Sequence, residues 1–542
     1  MAAQHSLIDP STPPVAATCA GQVRGLWRPC PETAAGPGAF SHSAAFLGIP
    51  FGEAPVGPLR FAAPVPHARW DGVRGALEHG PTPQRPGPPA HTLIPEPSVP
   101  GASTLNLDVF TPAPSVAAAL PVLVYIHGGG FTAGSPASPW YDGAAFNRDG
   151  VVTVNVSYRL GFDGFGLVDG APDNRAVLDW LLALEWVQAN IAAFGGDPAR
   201  VTLAGQSAGG GAVLTLLGMP QAQHLFAQAY CLSGALGDVP RDRAGALAER
   251  LAALAGVEPT VEGFASVPEE RLLELQPRAL EAGGGMFSVL RRVLDGGQSL
   301  GPMVDGELIT APTPDSLRAG TGAGKPLVLG TADDEFAMAL GRLASKLRFV
   351  PSRLLLGQAG LARGRRSSYL AANKDVARLG SAAVLGRYIS DAVFRSTALT
   401  VAESRAAGAA ARAAARAAGS GTAGSGSVEY ADGSPAGAAA AANPAGTWLY
   451  RFSWRSPVFG RAVHCLDVPF FFDCLGTGGI DALAGKSPPQ ALADEVHAAA
   501  VSFAISGDPG WDGHDGDRPT KVFDTPASVV PDGYASVRPL LD

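Results

Sequence analysis

Charge is scarce in this chain: Asp, Glu, Lys and Arg make up only 16% of its 542 residues, and 48 acidic side chains face 40 basic ones. The net charge of −8 disfavours nucleic acid and anionic membrane surfaces as partners. With so few charges and so much alanine and glycine, many surface positions must be small and uncharged. Cysteine is rarer still. Cys19, Cys30, Cys231, Cys465 and Cys474 are odd in number and lack zinc-like spacing, which reads as free thiols in a reducing cytoplasm. Nothing supports a Cys465–Cys474 bridge. Residues 1–19 have no basic start and no continuous apolar core, so neither a signal peptide nor a transmembrane run is expected, and the expected location is cytoplasmic.

What is present begins with Gly205-Gln-Ser-Ala-Gly209. Arg200 to Ala204 before it reads as a short buried strand, and Ala212 to Gly218 after it as a helix. A serine on such a sharp strand-to-helix turn is held strained and exposed, its hydroxyl free to attack. The pattern alone is weak in a glycine-rich chain, and it recurs at Gly297-Gln-Ser-Leu-Gly301. There Asp295-Gly296 precedes instead of a strand and Pro302 follows, so no helix starts on the serine. Ser299 is therefore read as a loop residue and Ser207 as the nucleophile.

Near-continuous apolar runs at Pro121–Ile126, Val151–Val156, Lys325–Gly330 and Trp448–Phe452 suit parallel strands covered on both faces. Between the first two of these and the serine, Asn174 to Phe194 repeats apolar residues at helical spacing, and Gly195-Gly-Asp-Pro198 stops it. Strand, helix, strand, turn, helix is the order of a doubly wound α/β sheet. Residues 1–20 read as a flexible tail, and Pro81 to Pro100 as an extended surface loop. Small residues with few large apolar groups mark a low-complexity insertion at about 405–446, beginning as an Ala/Arg stretch that could be helical. Length alone suggests several domains. The chemical pieces, spread from about residue 127 to 464, must meet in space, so residues 21–542 are read as one domain.

A serine nucleophile needs a base, an orienting acid and an oxyanion site. His127-Gly-Gly-Gly130-Phe131 follows a buried strand, and its glycines let N–H groups point at a developing oxyanion without side-chain obstruction. Gly129, Gly130 and Ala208 are the candidate donors. Gly320-Thr-Gly-Ala-Gly-Lys325 imitates a phosphate loop, but Pro326 replaces the magnesium-binding hydroxyl and a strand follows where a helix should be.

With these motifs in place the chain resembles the type-B carboxylesterases. The matching segments run from Phe46-Leu-Gly-Ile-Pro-Phe-Gly-Glu-Ala-Pro-Val-Gly-Pro-Leu-Arg-Phe61, through Asn190-Ile-Ala-Ala-Phe-Gly-Gly-Asp-Pro198, to Gly507-Asp-Pro509. The resemblance implies an α/β-hydrolase fold: a mostly parallel central sheet, helices on both faces and large helical and loop insertions. It places the orienting acid at Glu335 in Gly330-Thr-Ala-Asp-Asp-Glu-Phe336, with Asp333 and Asp334 as alternatives. It places the base at His464 in Gly460-Arg-Ala-Val-His-Cys-Leu-Asp-Val-Pro-Phe470. The order Ser207, Glu335, His464 is that of α/β hydrolases. Gln206 and Ser233 would stand behind these groups, Gln206 where many relatives carry Glu. Pro302 to Gly306 would lie near the acyl pocket, and Ser299 close to it.

The chain also departs from the family. Ala102-Ser-Thr-Leu105 lacks the carboxylate that usually pairs with the arginine here numbered Arg60, leaving Glu96 as the candidate partner. Both ends of a family disulfide are missing, consistent with a cytoplasmic protein. Residues 85–100 hold no tryptophan, so an aromatic choline site is not expected. Phe336 replaces the usual glycine after the acid and could narrow the site. The expected function is cofactor- and metal-free hydrolysis of small-molecule carboxylic esters through an acyl-enzyme, by a monomer. An acyltransferase or a carbamate or amide hydrolase on the same site is the alternative, and a non-catalytic binding protein the remote one.

Overall fold

Alternation along the strands builds the molecule in layers. In the Leu120–Ile126 strand, Val122, Val124 and Ile126 enter one apolar cluster, while Leu123 and Tyr125 enter another. Opposite faces of a pleated strand require this division. Leu327 and Leu329 divide from Val328 in the same way. The computed structural model describes residues 10–32, 40–85, 93–280, 294, 298–337, 344–347, 349–419 and 446–541.

These strands belong to an 11-stranded sheet. From one edge its order is Ser528–Pro531, Pro519–Phe523, Thr447–Phe452, Leu327–Ala332, Gln228–Leu232 and Gly196–Gln206. It continues with Leu120–Ile126, Val152–Val156, Asn106–Thr111, His42–Pro50 and Leu26–Pro29. Pairing is parallel from Pro519–Phe523 through Val152–Val156, and antiparallel at both edges. Helices Arg175–Asn190 and Ala208–Leu217 cover one face. Helices Gln490–Ser506 and Val468–Phe471 cover the other. The central strands Val152–Val156 and Leu327–Ala332 are buried at every position, which explains their unbroken apolar sequences.

Close backbone approach explains where the elements end. The helix expected over 174–194 runs Arg175–Asn190, tightens into a 3₁₀ turn at Ile191–Phe194, and stops at Gly195 with φ 84°. A Cβ on Gly195 would stand 1.9 Å from the Ala113 carbonyl oxygen, so no other residue fits. The helix after the serine begins at Ala208 rather than Ala212. Its first turn is glycine because a Cβ on Gly209 would lie 2.0 Å from the Ile126 oxygen. The strand before the serine is longer than expected, Gly196–Gln206.

Three expectations need correction. The tail expected over residues 1–20 is shorter: Val15–Ala17 pairs with Gln22–Arg24 in a small separate sheet, Ala16 is buried, and the Cys19 N–H donates to Asn190 Oδ1. The Ala/Arg stretch that opens the insertion expected from residue 405 is helical as read, within Ser396–Gly419, but its start is not loose. The buried Arg405 donates to the carbonyls of Gly322 and Lys325 and to Thr447 Oγ1, so this turn is docked on the strand entrances. Residues 420–445 of the expected insertion lie outside the described residues. Arg60 does not meet Glu96: it donates to Asp163 at 2.9 Å and to the Val267 carbonyl at 2.7 Å. Arg60 caps a 3₁₀ turn facing helix Gly161–Phe165, whereas Glu96 sits over the glycine loop, paired with Arg85 and accepting from the Gly134 N–H. All five cysteines are free. Lys325 leads into the Leu327–Ala332 strand and is bonded to the Gln223 and Phe226 carbonyls.

Candidate active site

The parallel strands deliver their functional side chains at their carboxyl ends, where open α/β sheets bind ligands. At the end of Gly196–Gln206, Ser207 has φ 58° and ψ −121° and its N–H donates to the Leu232 carbonyl. A non-glycine residue in that region is strained. The Ser207 hydroxyl makes no hydrogen bond among the described residues and lines a cavity of about 410 Å³. One strand over, the chain leaving Ile126 forms the glycine turn, with Gly129 at φ 115° and Gly130 at φ 61°. Gly129, Gly130 and Ala208 line the same cavity. Among the described residues, neither the Gly129 nor the Gly130 N–H donates to a backbone or side-chain group. Ala208 opens its helix, so its N–H has no partner within it. The His127 ring stacks on Tyr158 at 4.6 Å, its Nδ1 bonded to the Gly128 carbonyl. Burial pulls its pKa down to about 4, so the ring is a neutral brace for the turn.

Beyond the Leu327–Ala332 strand, Glu335 is fully buried. Its Oε1 accepts the Ala332 N–H at 2.8 Å, and its Oε2 meets His464 Nδ1 at 2.5 Å. The backbones are joined too, by the His464 N–H to the Glu335 carbonyl at 2.9 Å. Nδ1–H donating to the carboxylate leaves Nε2 as an acceptor turned toward the cavity, where Gln206 Nε2 donates to it at 3.2 Å. Gln206 also reaches Cys465 Sγ at 3.3 Å. Burial disfavours the imidazolium, but Cys465 and Glu335, each through charge and hydrogen bonding, outweigh it and hold the His464 pKa well above 6.5.

The alternative acids are engaged elsewhere. Asp333 pairs with Arg451 at 2.7 Å and accepts from Ser453. Burial opposes its ionisation, yet Arg451 holds its carboxyl well below the usual carboxylate range. Asp334 faces Arg387 and Arg461. Ser233 is buried with φ 46° and its hydroxyl unpartnered among the described residues, while its N–H bonds the Gly330 carbonyl. Ser299 does not line the cavity, although its neighbour Gln298 does.

The sequence reading overlooked several wall residues. Leu93, Ile94 and Glu96 come from the segment read as a surface loop; they line the cavity, and its residues 86–92 lie outside the described residues. Val393 and Phe394 also line it. Their one signal is an apolar pair within a helical stretch, which any core helix also shows. Asp467, fully buried and accepting from the Tyr450 hydroxyl, has its pKa pushed up to about 7 by burial and by the charge of Glu335. Its only earlier mark was its place three residues after His464.

A strained serine, a carboxylate-backed imidazole and a turn of unpaired N–H groups around one cavity are equipped for acyl transfer. The sheet order, the covering helices and the placement of these groups define an α/β-hydrolase fold. The chain aligns over 97% of its length, and 99% of the other's, with the carboxylesterase of Geobacillus stearothermophilus solved at pH 6.8, at TM-score 0.74 and 29% identity. A para-nitrobenzyl esterase structure aligns over 97% and 99% at TM-score 0.76 and 26% identity. The para-nitrobenzyl esterase of Bacillus subtilis strain 168 is 29% identical over 518 residues, 91% of this chain and 93% of its own. The profile of the carboxylesterase family matches residues 11–523, and the chain belongs to that family. It is a carboxylic-ester hydrolase.

Proposed function

We propose that ester cleavage runs through an acyl-enzyme on Ser207, with His464 as base and Glu335 as its orienting acid. The observation that carries this is the 2.5 Å Glu335–His464 pair, whose imidazole shares a cavity with the strained Ser207. His464 exchanges Gln206 for Ser207 and takes the hydroxyl proton on Nε2 as Oγ attacks the carbonyl carbon. The Gly129, Gly130 and Ala208 N–H groups receive the resulting oxyanion; losing one such donor typically costs ~10²–10³ in rate. The tetrahedral adduct collapses, the C–O bond breaks, and Nε2–H protonates the departing alkoxide. Water, deprotonated by the same nitrogen, then frees the acid and restores Ser207.

Purified protein is expected to turn over a short-chain p-nitrophenyl ester and to be inactivated stoichiometrically by an organophosphate, with the added mass on the peptide bearing Ser207. No turnover together with no label overturns the assignment. The raised His464 pKa adds a sign: the base works only when neutral, so activity is lost as pH falls through that pKa. The acid limb of kcat/KM should therefore lie above 6.5. A profile flat down to pH 5 would mean that another group limits the rate.

A further inference from the structure

The site has a wall that hydrolysis alone does not require. Phe336 and Phe394 lie 5.2 Å apart, and both rings pack on the His464 imidazole, at 5.1 and 4.8 Å between centroids. Both also line the cavity, together with Val393. Phe394 is set there by a π-helical turn, Asp391–Arg395, which interrupts the helical run between Ser381 and Gly419. Such turns add a residue per loop and commonly re-aim side chains at functional sites. This one is rigidly held. Asp391 and Arg395 are fully buried and paired at 2.6 Å, and Asp391 accepts from Tyr369 at 2.7 Å.

The wall's position fixes what it can touch. In ester cleavage the imidazole delivers its proton to the leaving oxygen, so the alcohol portion of the substrate must sit against the base. The N–H donors at Gly129, Gly130 and Ala208 face the carbonyl instead. An alcohol group beside His464 therefore meets two aromatic rings. We propose that Phe336 and Phe394 are specificity-determining residues that favour esters of aromatic alcohols over saturated ones of equal size. This rests on the roles given above to Ser207 and His464. Ring–ring contacts add to simple burial by an amount that corresponds to a selectivity of about 2- to 10-fold.

The test compares 2-phenylethyl acetate with 2-cyclohexylethyl acetate, whose carbon skeletons and leaving-group acidities match. A mirrored pair, ethyl 3-phenylpropanoate and ethyl 3-cyclohexylpropanoate, carries the ring on the acyl side. Wild-type protein should prefer the phenyl alcohol by about fivefold in kcat/KM. Phe336→Leu should bring that ratio close to one, Phe336→Tyr should keep it, and the acyl-side ratio should not follow. Active sites are counted in every preparation by organophosphate titration, so a poorly folded variant is recognised, and Phe394→Leu supplies a second readout. An alcohol-side ratio at or below one in wild type, one unchanged in both leucine variants, or a shift confined to the acyl side overturns the proposal. Wild type that neither labels nor turns over any ester would instead overturn the catalytic assignment.

Discussion

Ser207→Ala is expected to lower kcat for a p-nitrophenyl ester by roughly 10⁴–10⁶-fold, the scale on which serine hydrolases lose their nucleophile. Stability should not follow. The Ser207 hydroxyl makes no hydrogen bond among the described residues, and alanine occupies the same strained φ of 58° as serine. Ser207→Gly sharpens the contrast, because glycine tolerates that backbone. Relief of about 1–3 kcal/mol of strain, against a chain-entropy cost of about 0.5–1 kcal/mol, leaves this variant at least as stable as wild type. Initial rates corrected for background hydrolysis, beside denaturant or thermal unfolding, check both halves. Activity within tenfold of wild type in Ser207→Ala would remove the serine from the chemistry.

Glu335→Gln is expected to cost about 10⁴-fold in kcat, with KM little changed. The reason lies in who donates to whom. Glu335 Oε1 accepts the Ala332 N–H, and Oε2 faces His464 Nδ1. A glutamine that keeps its oxygen on Ala332 must present its NH₂ to Nδ1, forcing the imidazole proton onto Nε2. The base then has no lone pair toward Ser207. The flipped amide fares no better, because it sets two N–H donors against each other at Ala332 and loses a buried bond worth about 1–3 kcal/mol. Removing the carboxylate also removes one cause of the raised His464 pKa, so residual activity should show its acid limb at lower pH. Steady-state kinetics across pH measures both effects. A variant with wild-type kcat and an unmoved profile would show that Glu335 does not orient the base.

Local physics made part of this legible. The strands, the turn at Ser207 and the glycine approach around it announce themselves through unbroken apolar runs and through residues too small for anything else. Choosing Glu335 over Asp333 and Asp334 needed the family resemblance, because three adjacent acids carry no periodic distinction. The structure separates their surroundings by the arginines at 451, 387 and 461, each far away in sequence. Arg60 and Asp163 are 103 positions apart, and the loops between them follow no period, so the guess at Glu96 had nothing to constrain it. The π-helical turn is equally silent in the sequence. One extra residue in a helical coil changes which side chains point inward without changing the composition.

Glu335 and His464 follow neighbouring strands, Leu327–Ala332 and Thr447–Phe452, which are laddered together in parallel. Arg405 clamps the incoming helix to the start of both, and the Leu327 N–H bonds the Gly446 carbonyl. These anchors grip the entrances of the two strands, at the opposite end from the cavity, so the spacing of Glu335 and His464 is held in part by bonds remote from Ser207.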